Sequence, residues 1–479
     1  VARGRFLLDK TEYFRAIINR GPAAKTSSGG IMRQLCSLLA FAVFAFVSVT
    51  PARAASEKVL YAFTGGVDGG NPIGSLVRDS SGNLYGTTYH GGASGKNGST
   101  CYPNYGCGTV FELTPLKNGK WKETVIYNFC PVIYCVDGSN PTSGLVMDAA
   151  GNLYGATYDG GLYQGGVVFE LVQVGGTWVE LVLHNFCSVA RCLDGLNPKS
   201  GLLLDSSGNL WGTTSQGGGG ATEAGAGVVF EISPVENGWL ETVLYSFCAQ
   251  EFCPDGAGPN GPVAFDLAGN LYGTAIEGGL AHCPNTYTCG TVFRLTPAES
   301  GYWPFTKVYD FCPAAGCLDG DLPAGGTLVD LLGNVYSTAS SGGTKGYGVL
   351  FLATPSGGGW DYNIVHDFCS TKNKTRNCTD GASPSYGLLF DSSGNLYGTT
   401  GAGGTGGGGV AYEMVNELTG WKEKVLHSFC TKGPAICEDG DNPSGTMLLG
   451  PANELYGVTA GGGAGNSTGG GGVVFQITL

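Results

Sequence analysis

Between Ser143 and Phe186 four apolar-rich pieces, SGLVMD, GNLYGATY, GGVVFEL and TWVELVLHNF, are separated by polar or glycine-rich breaks. Their length, their β-branched and aromatic content and their bounding turn residues are those of strands. The breaks differ in kind. Ser-Ser-Gly-Asn, seen after Asp79, makes a tight hairpin between the first two strands, and the Asn-Gly turns before Trp121 and Trp239 join the last two. The long links follow the second strand, with runs of glycine, and the fourth strand, with cysteines.

The pattern recurs along the chain. SGNLYGTT at Ser81 returns as AGNLYGAT from Ala150, SGNLWGTT from Ser207, AGNLYGTA from Ala268, LGNVYSTA from Leu332, SGNLYGTT from Ser393 and ANELYGVT from Ala452. Seven copies, 57 to 69 residues apart, account for everything from Glu57 to Leu479. Four strands in about 60 residues suit a propeller blade, whereas solenoid coils are shorter. The ends supply a test of closure: the repeats begin with a lone fourth strand, EKVLYAF at 57–63, and finish on a third strand, GVVFQITL. Pairing the two removes an open sheet edge. The expected fold is therefore all-β, a seven-bladed β-propeller of four-stranded blades, with strand 57–63 completing the blade that begins near Ser444.

The repeated D-x-x-G-N-L-Y-G-T-T, then G-G and G-x-V-F-E-L, resembles the GloVer tandem repeat of bacterial exported proteins, whose members vary in how they are anchored. The resemblance covers essentially all of 55–479 and implies a secreted or surface-associated repeat protein. A recognisable C-terminal anchor is lacking. The D-x-x-G-N-x-Y hairpin is also similar to NHL-type propeller repeats, which supports the fold and says little about activity.

Composition places the chain. Met32 opens a segment with one Arg, an apolar run from Leu35 to Val49 and an Ala52-Arg53-Ala54 cleavage signal, the layout of a secretory signal peptide. Residues 1–31 read as an upstream extension, 32–54 as the signal, and 55–479 as the propeller. Cys36 precedes the apolar run, which disfavours a lipoprotein anchor, and no later segment has the length and hydrophobicity of a membrane span. Removing 1–54 takes away eight Lys/Arg and two Asp/Glu and leaves 17 against 36, a net charge of −19. That balance disfavours nucleic acid and anionic membrane surfaces as partners. Glycine, at 85 residues, is far above its usual share, and the repeats account for it.

Sixteen cysteines follow the signal, and they come in pairs. Cys130/Cys135, Cys187/Cys192, Cys248/Cys253, Cys312/Cys317, Cys369/Cys378 and Cys430/Cys437 occupy the same link in six repeats; the first unit, YAFTGGVDGG, lacks both members. Cys101/Cys107 and Cys283/Cys289 lie in the other long link of two blades. Pairs gained or lost together, in a chain read as exported, point to eight intraloop disulfides. Zinc would need four ligands, and no His lies in these cysteine pairs. Both long links emerge on one side of a propeller, so the staples would rigidify one variable loop face.

Several residues invite a chemical role. Asp68, Asp137, Asp194, Asp255, Asp319, Asp380 and Asp439 each precede a Gly after the cysteine link; they could gather cations, but strict sevenfold use favours turn capping. His184, His366 and His427 exchange with Tyr61, Tyr127, Tyr245 and Tyr309, which suggests a packing position with a polar tip. Trp121, Trp178, Trp239, Trp360 and Trp421 read as blade packing. The asymmetric position ends the second strand: His90, Asp159, Gln216 and Glu277, then Ser341, Ala402 and Gly461. Two carboxylates, an imidazole and an amide on one arc could hold a sugar or a cation, or could perform acid–base chemistry. No familiar catalytic motif is present, and no metal or cofactor is assigned.

These features favour an exported, non-enzymatic module that binds an extracellular glycan or protein with its stapled loop face. One alternative is an enzyme of lactonase, lyase or glycosidase type using His90, Asp159 and Glu277. Another is a structural part of the cell envelope.

Overall fold

The computed structural model describes residues 55–93, 106–131, 133–220, 225–279, 288–314, 316–373, 377–433, 436–463 and 471–479. The expected extension and signal peptide, 1–54, lie outside them. Residues Arg53–Leu479 form one compact unit.

Seven antiparallel sheets follow one another, each ordered first to fourth strand, as the repeats predict. The first blade comprises Gly70–Arg78, Leu84–His90, Thr109–Pro115 and Trp121–Asn128. The last is completed by the N-terminal strand Ser56–Ala62, which pairs antiparallel with Val473–Thr478 through Glu57↔Ile477 and Val59↔Phe475. The expected closure is therefore present, and no sheet edge is left where the ends meet.

The first strands depart from the sequence reading. Of SGLVMD only Val146–Met147 pairs with Leu153–Asp159; Ser139–Pro141, upstream of it, pairs with the same strand, and Thr142 to Leu145 bulge between the two. Proline offers no N–H to a ladder and glycine weakens one, so the P-x-x-G segment nearest the axis leaves regular pairing. Its backbone instead packs against the neighbouring blade. A Cβ added to Gly144 would lie 2.3 Å from the Ser75 nitrogen, so only glycine permits this approach at the crowded centre.

The hydrophobic core sits between blades. Phe63, Phe129, Phe186, Phe247, Phe311, Phe368 and Phe429 end the fourth strands, are buried, and plug the blade that follows. Each meets a third-strand ring, Phe111, Phe169, Phe230, Phe293, Phe351, Tyr412 or Phe475, with centroids 4.9–5.3 Å apart. The tilted and edge-on geometries suit the ring quadrupoles. The Gly in LYGTT makes room for that ring: a Cβ on Gly155 would stand 2.6 Å from Phe169 Cζ. The five tryptophans also bridge blades, Trp178 against Tyr85 at 6.0 Å and Trp239 against Tyr154 at 6.1 Å, as their packing role requires.

The D-x-x-G-N signature proves to be a self-contained hairpin. Asp148 Oδ1 accepts the N–H groups of Ala150 and Asn152, while Oδ2 accepts Asn152 Nδ2 and the Tyr154 hydroxyl. One carboxylate thus satisfies four donors, a structural reason for the motif to repeat.

Candidate functional site

The loop face is built from the cysteine links upward. Six disulfides close loops of five to nine residues: Cys130–Cys135, Cys187–Cys192, Cys248–Cys253, Cys312–Cys317, Cys369–Cys378 and Cys430–Cys437. Cys107 and Cys289 are also disulfide-bonded; Cys101 and Cys283, their expected partners, lie outside the described residues. Most of the loop cysteines sit in the left-handed region, for example Cys130 at φ 60° and Cys135 at φ 48°. Such backbone is costly for a non-glycine residue and persists only where its surroundings enforce it.

Two further ties hold each loop. The carbonyl of Cys135 accepts the N–H of Gly138 and of Gly161, both at 2.8 Å, joining the entering link to the other long link of the same blade. The same double bond recurs at Cys192, Cys253, Cys317, Cys378 and Cys437, and at Gly66 in the unit without cysteines. The seven aspartates cap their own turns, as expected. Asp137 Oδ2 accepts the Cys130 N–H at 3.0 Å and the Tyr127 hydroxyl at 2.9 Å, and Thr64 takes over in the first unit by donating to Asp68 from both its N–H and its hydroxyl. Where His replaces Tyr, a Ser or Thr hydroxyl compensates: Ser188, Ser370 and Thr431 donate to Asp194, Asp380 and Asp439. His184, His366 and His427 then stack edge-on against Phe186, Phe368 and Phe429, each at 4.8 Å, with Nε2 3.3–3.6 Å from the aspartate. They are packing positions with a polar tip.

The four residues of the asymmetric arc occupy one height. His90, Asp159, Gln216 and Glu277 end their second strands and stand opposite Gly70, Ser139, Leu196 and Ala257 on the first strands. Half-burial pushes the carboxyls of Asp159 and Glu277 up and the His90 imidazole down. Asn197 Nδ2 donates to Asp159 Oδ1 at 3.4 Å across the blade boundary. The register adds two residues that sequence reasoning missed. Asp321 pairs with Ser341 and Asp441 with Gly461, so in blades five and seven the first strand carries the carboxyl. Burial raises both. The polar rim therefore spans six of the seven blades, interrupted where Ala382 faces Ala402 in blade six, and its signal was Asp-Gly-Asp at 319–321 and 439–441. On the axis lies a cavity of about 330 Å³, lined by small residues such as Ser75, Thr142 and Ser200 together with Lys199, Asn260 and Tyr386.

A second group of carboxylates lies at the blade junctions. Glu57, Glu123, Glu180, Glu241 and Glu423 recur near the start of the fourth strands, and in each Oε1 is buried without a hydrogen-bond partner. Each faces the turn aspartate of the preceding blade. Desolvation, reinforced by Asp137, pushes Glu180 up to about 8, and desolvation with Asp194 does the same for Glu241. One junction gathers three ligand-type atoms, from His366, Asp380 and Glu423, within 4.8 Å of one another.

Among the described residues no helix is long and apolar enough to cross a membrane. A ring of seven four-stranded blades, stapled on one face, defines a disulfide-bonded propeller repeat protein. The chain belongs to the Gloeobacter/Verrucomicrobia repeat family, whose sequence profile matches residues 45–279 and 182–378. It matches no curated protein. Among solved structures it is similar to a candidate 6-phosphogluconolactonase of Bacteroides uniformis, at 12% identity and TM-score 0.41, covering 74% of this chain and 83% of that one. It is also similar to a candidate oxidoreductase (glucose dehydrogenase) of Thermus thermophilus, at 13% and 0.39, covering 88% and 99%. A Dyadobacter fermentans protein of unknown function aligns at 10% and 0.38, covering 89% and 99%.

Proposed function

We propose that the protein is an exported, non-enzymatic module that binds an extracellular glycan or protein with its stapled loop face. The observation that carries this reading is the polar rim. His90, Asp159, Gln216, Glu277, Asp321 and Asp441 stand at one register height beside loops tied by aspartate cap and glycine strap and, in all but the first unit, by a disulfide. Pre-organised polar groups bind with less ordering cost than mobile ones. Aromatic groups for stacking stand on the same loops: Tyr134, Tyr163 and Phe252 are more than half exposed, and Gln164 Nε2 donates to the Tyr134 carbonyl at 2.8 Å, joining two of these loops. Export is supported by the six disulfides, since such bonds persist in oxidising compartments.

The test is a thermal-shift and glycan-array screen of the oxidised protein, with Asp159→Ala and Glu277→Ala as controls. A ligand that binds only the folded state raises the melting temperature by mass action. A glycan hit weakened in both controls supports the reading. Turnover of a sugar or lactone abolished by Glu277→Ala would replace it with an enzyme. Silence against glycans, together with no partner in extracellular protein fractions, would leave an envelope-structural role.

A further inference from the structure

Three of the seven blade junctions combine a fourth-strand histidine, a turn aspartate and a glutamate from the next blade. They are His184–Asp194–Glu241, His366–Asp380–Glu423 and His427–Asp439–Glu57. The third is already neutralised. Lys432 Nζ lies 2.6 Å from Glu57 Oε2, an ammonium held where two carboxylates meet an imidazole, with the Glu57 side chain only 1% exposed.

The junction between blades five and six has the same donors, and among the described residues no ammonium reaches Glu423. Lys422 and Lys424, which flank Glu423 on its strand, reach other carboxylates, Glu417 at 3.9 Å and Glu413 at 2.9 Å. The Asp380 side chain is 1% exposed, and His366 Nε2 stands 3.4 Å from its Oδ2. Glu423 Oε1 and His366 Nε2 are both buried without a hydrogen-bond partner. A buried carboxylate with an unsatisfied oxygen is costly unless it is protonated or meets a positive charge.

We propose that His366, Asp380 and Glu423 bind a divalent transition-metal ion of the zinc class, taking the place that Lys432 fills at the third junction. An imidazole with two carboxylates is a donor set that suits first-row divalent ions. The three ligand atoms lie within 4.8 Å of one another, somewhat wider than metal–ligand bonds of roughly 2.1 Å span, so they draw together slightly on binding. The Ser370 N–H and hydroxyl, at 2.8 and 2.7 Å from Asp380 Oδ2, fix the carboxylate that anchors the site. Three protein ligands leave the fourth position to water, and the ion would tie one blade boundary. It is separate from the rim assigned to ligand binding, and its test does not depend on that assignment.

The experiment is zinc titration calorimetry on the untagged, oxidised, metal-stripped protein at neutral pH, with cobalt absorption as a geometric readout. The expected result is one zinc equivalent per chain and a rise in melting temperature. Affinity should fall at least tenfold in both His366→Gln and Glu423→Gln, while His184→Gln leaves it unchanged. Circular dichroism of each variant confirms folding; Glu423→Gln removes a buried charge and keeps the side-chain shape, so it serves should His366→Gln unfold. Absence of stoichiometric binding to the wild-type protein, or binding retained in Glu423→Gln, would overturn the proposal.

Discussion

Replacing Tyr412 by Phe should stabilise the protein. Its ring occupies the third-strand position filled by Phe in the other six blades, is fully buried, and carries a hydroxyl without a hydrogen-bond partner. That oxygen lies against the second strand, where a Cβ added to Gly398 would stand 2.4 Å from it. An unsatisfied buried hydroxyl costs about 1–3 kcal/mol. Deleting it leaves a void of one oxygen atom, and the phenyl ring keeps its 5.3 Å contact with Phe368. The net gain should be about 1–2 kcal/mol. For an unfolding entropy of roughly 2.1 cal/mol/K per residue over roughly 430 residues, that is a rise in Tm of only about 1–2 °C. Guanidinium unfolding followed by tryptophan fluorescence, with the shift in midpoint multiplied by m, is the more sensitive assay if the ring unfolds cooperatively. A Tyr412→Phe protein no more stable than wild type would refute the reasoning and mean that the hydroxyl has a partner, such as an enclosed water.

Burial holds the Glu180 carboxyl up to about 8, so the folded state binds a proton that the unfolded chain has released above about 4.5. This contribution favours folding at low pH and is lost as pH rises towards 8. Glu180→Gln should therefore be more stable than wild type at pH 9 by about 1–3 kcal/mol, allowing for solvent at the junction edge, with the difference vanishing below pH 4.5 in denaturant titrations. Cys130→Ser with Cys135→Ser should cost roughly 2 kcal/mol or less, because the closed loop is short; hydrogen exchange should rise at Gly138 and Gly161 while distant blades stay protected. Gly155→Ala should cost about 1–3 kcal/mol through the 2.6 Å clash with Phe169, measured by the same unfolding curves. Deleting Ser56–Ala62 should expose the edge of Val473–Thr478 and produce self-association visible by light scattering.

The repeated strands, the blade count and the closure were legible because each rests on local spacing: LYGTT recurs, and unpaired third and fourth strands stand at opposite ends. The staples were legible because cysteine pairs appear or vanish together. The split first strand was not, since its cause, backbone packing of Gly144 on Ser75, belongs to the neighbouring blade. The same holds for the glutamates. In WVEL, Glu180 reads as a solvent-facing position of an alternating strand, and only the ring places it against Asp137. Asp321 and Asp441 were hidden for another reason: their carboxyls are carried by the paired strand, and only the register sets them at the height of the second-strand position.

The closing strand also governs the order of events in folding. Glu57 and Ile477 are paired across about 420 residues of sequence, so the segment made first waits longest for its neighbour. Blades with local contacts can form as they emerge, but the circle stays open until Val473–Thr478 arrives, and loop-closure entropy is then paid across all seven repeats. A prematurely terminated polypeptide would therefore hold several finished blades and a vacant seam, a species prone to join with others edge to edge. Closure of the ring thus waits on one event, the pairing of Val473–Thr478 with Ser56–Ala62.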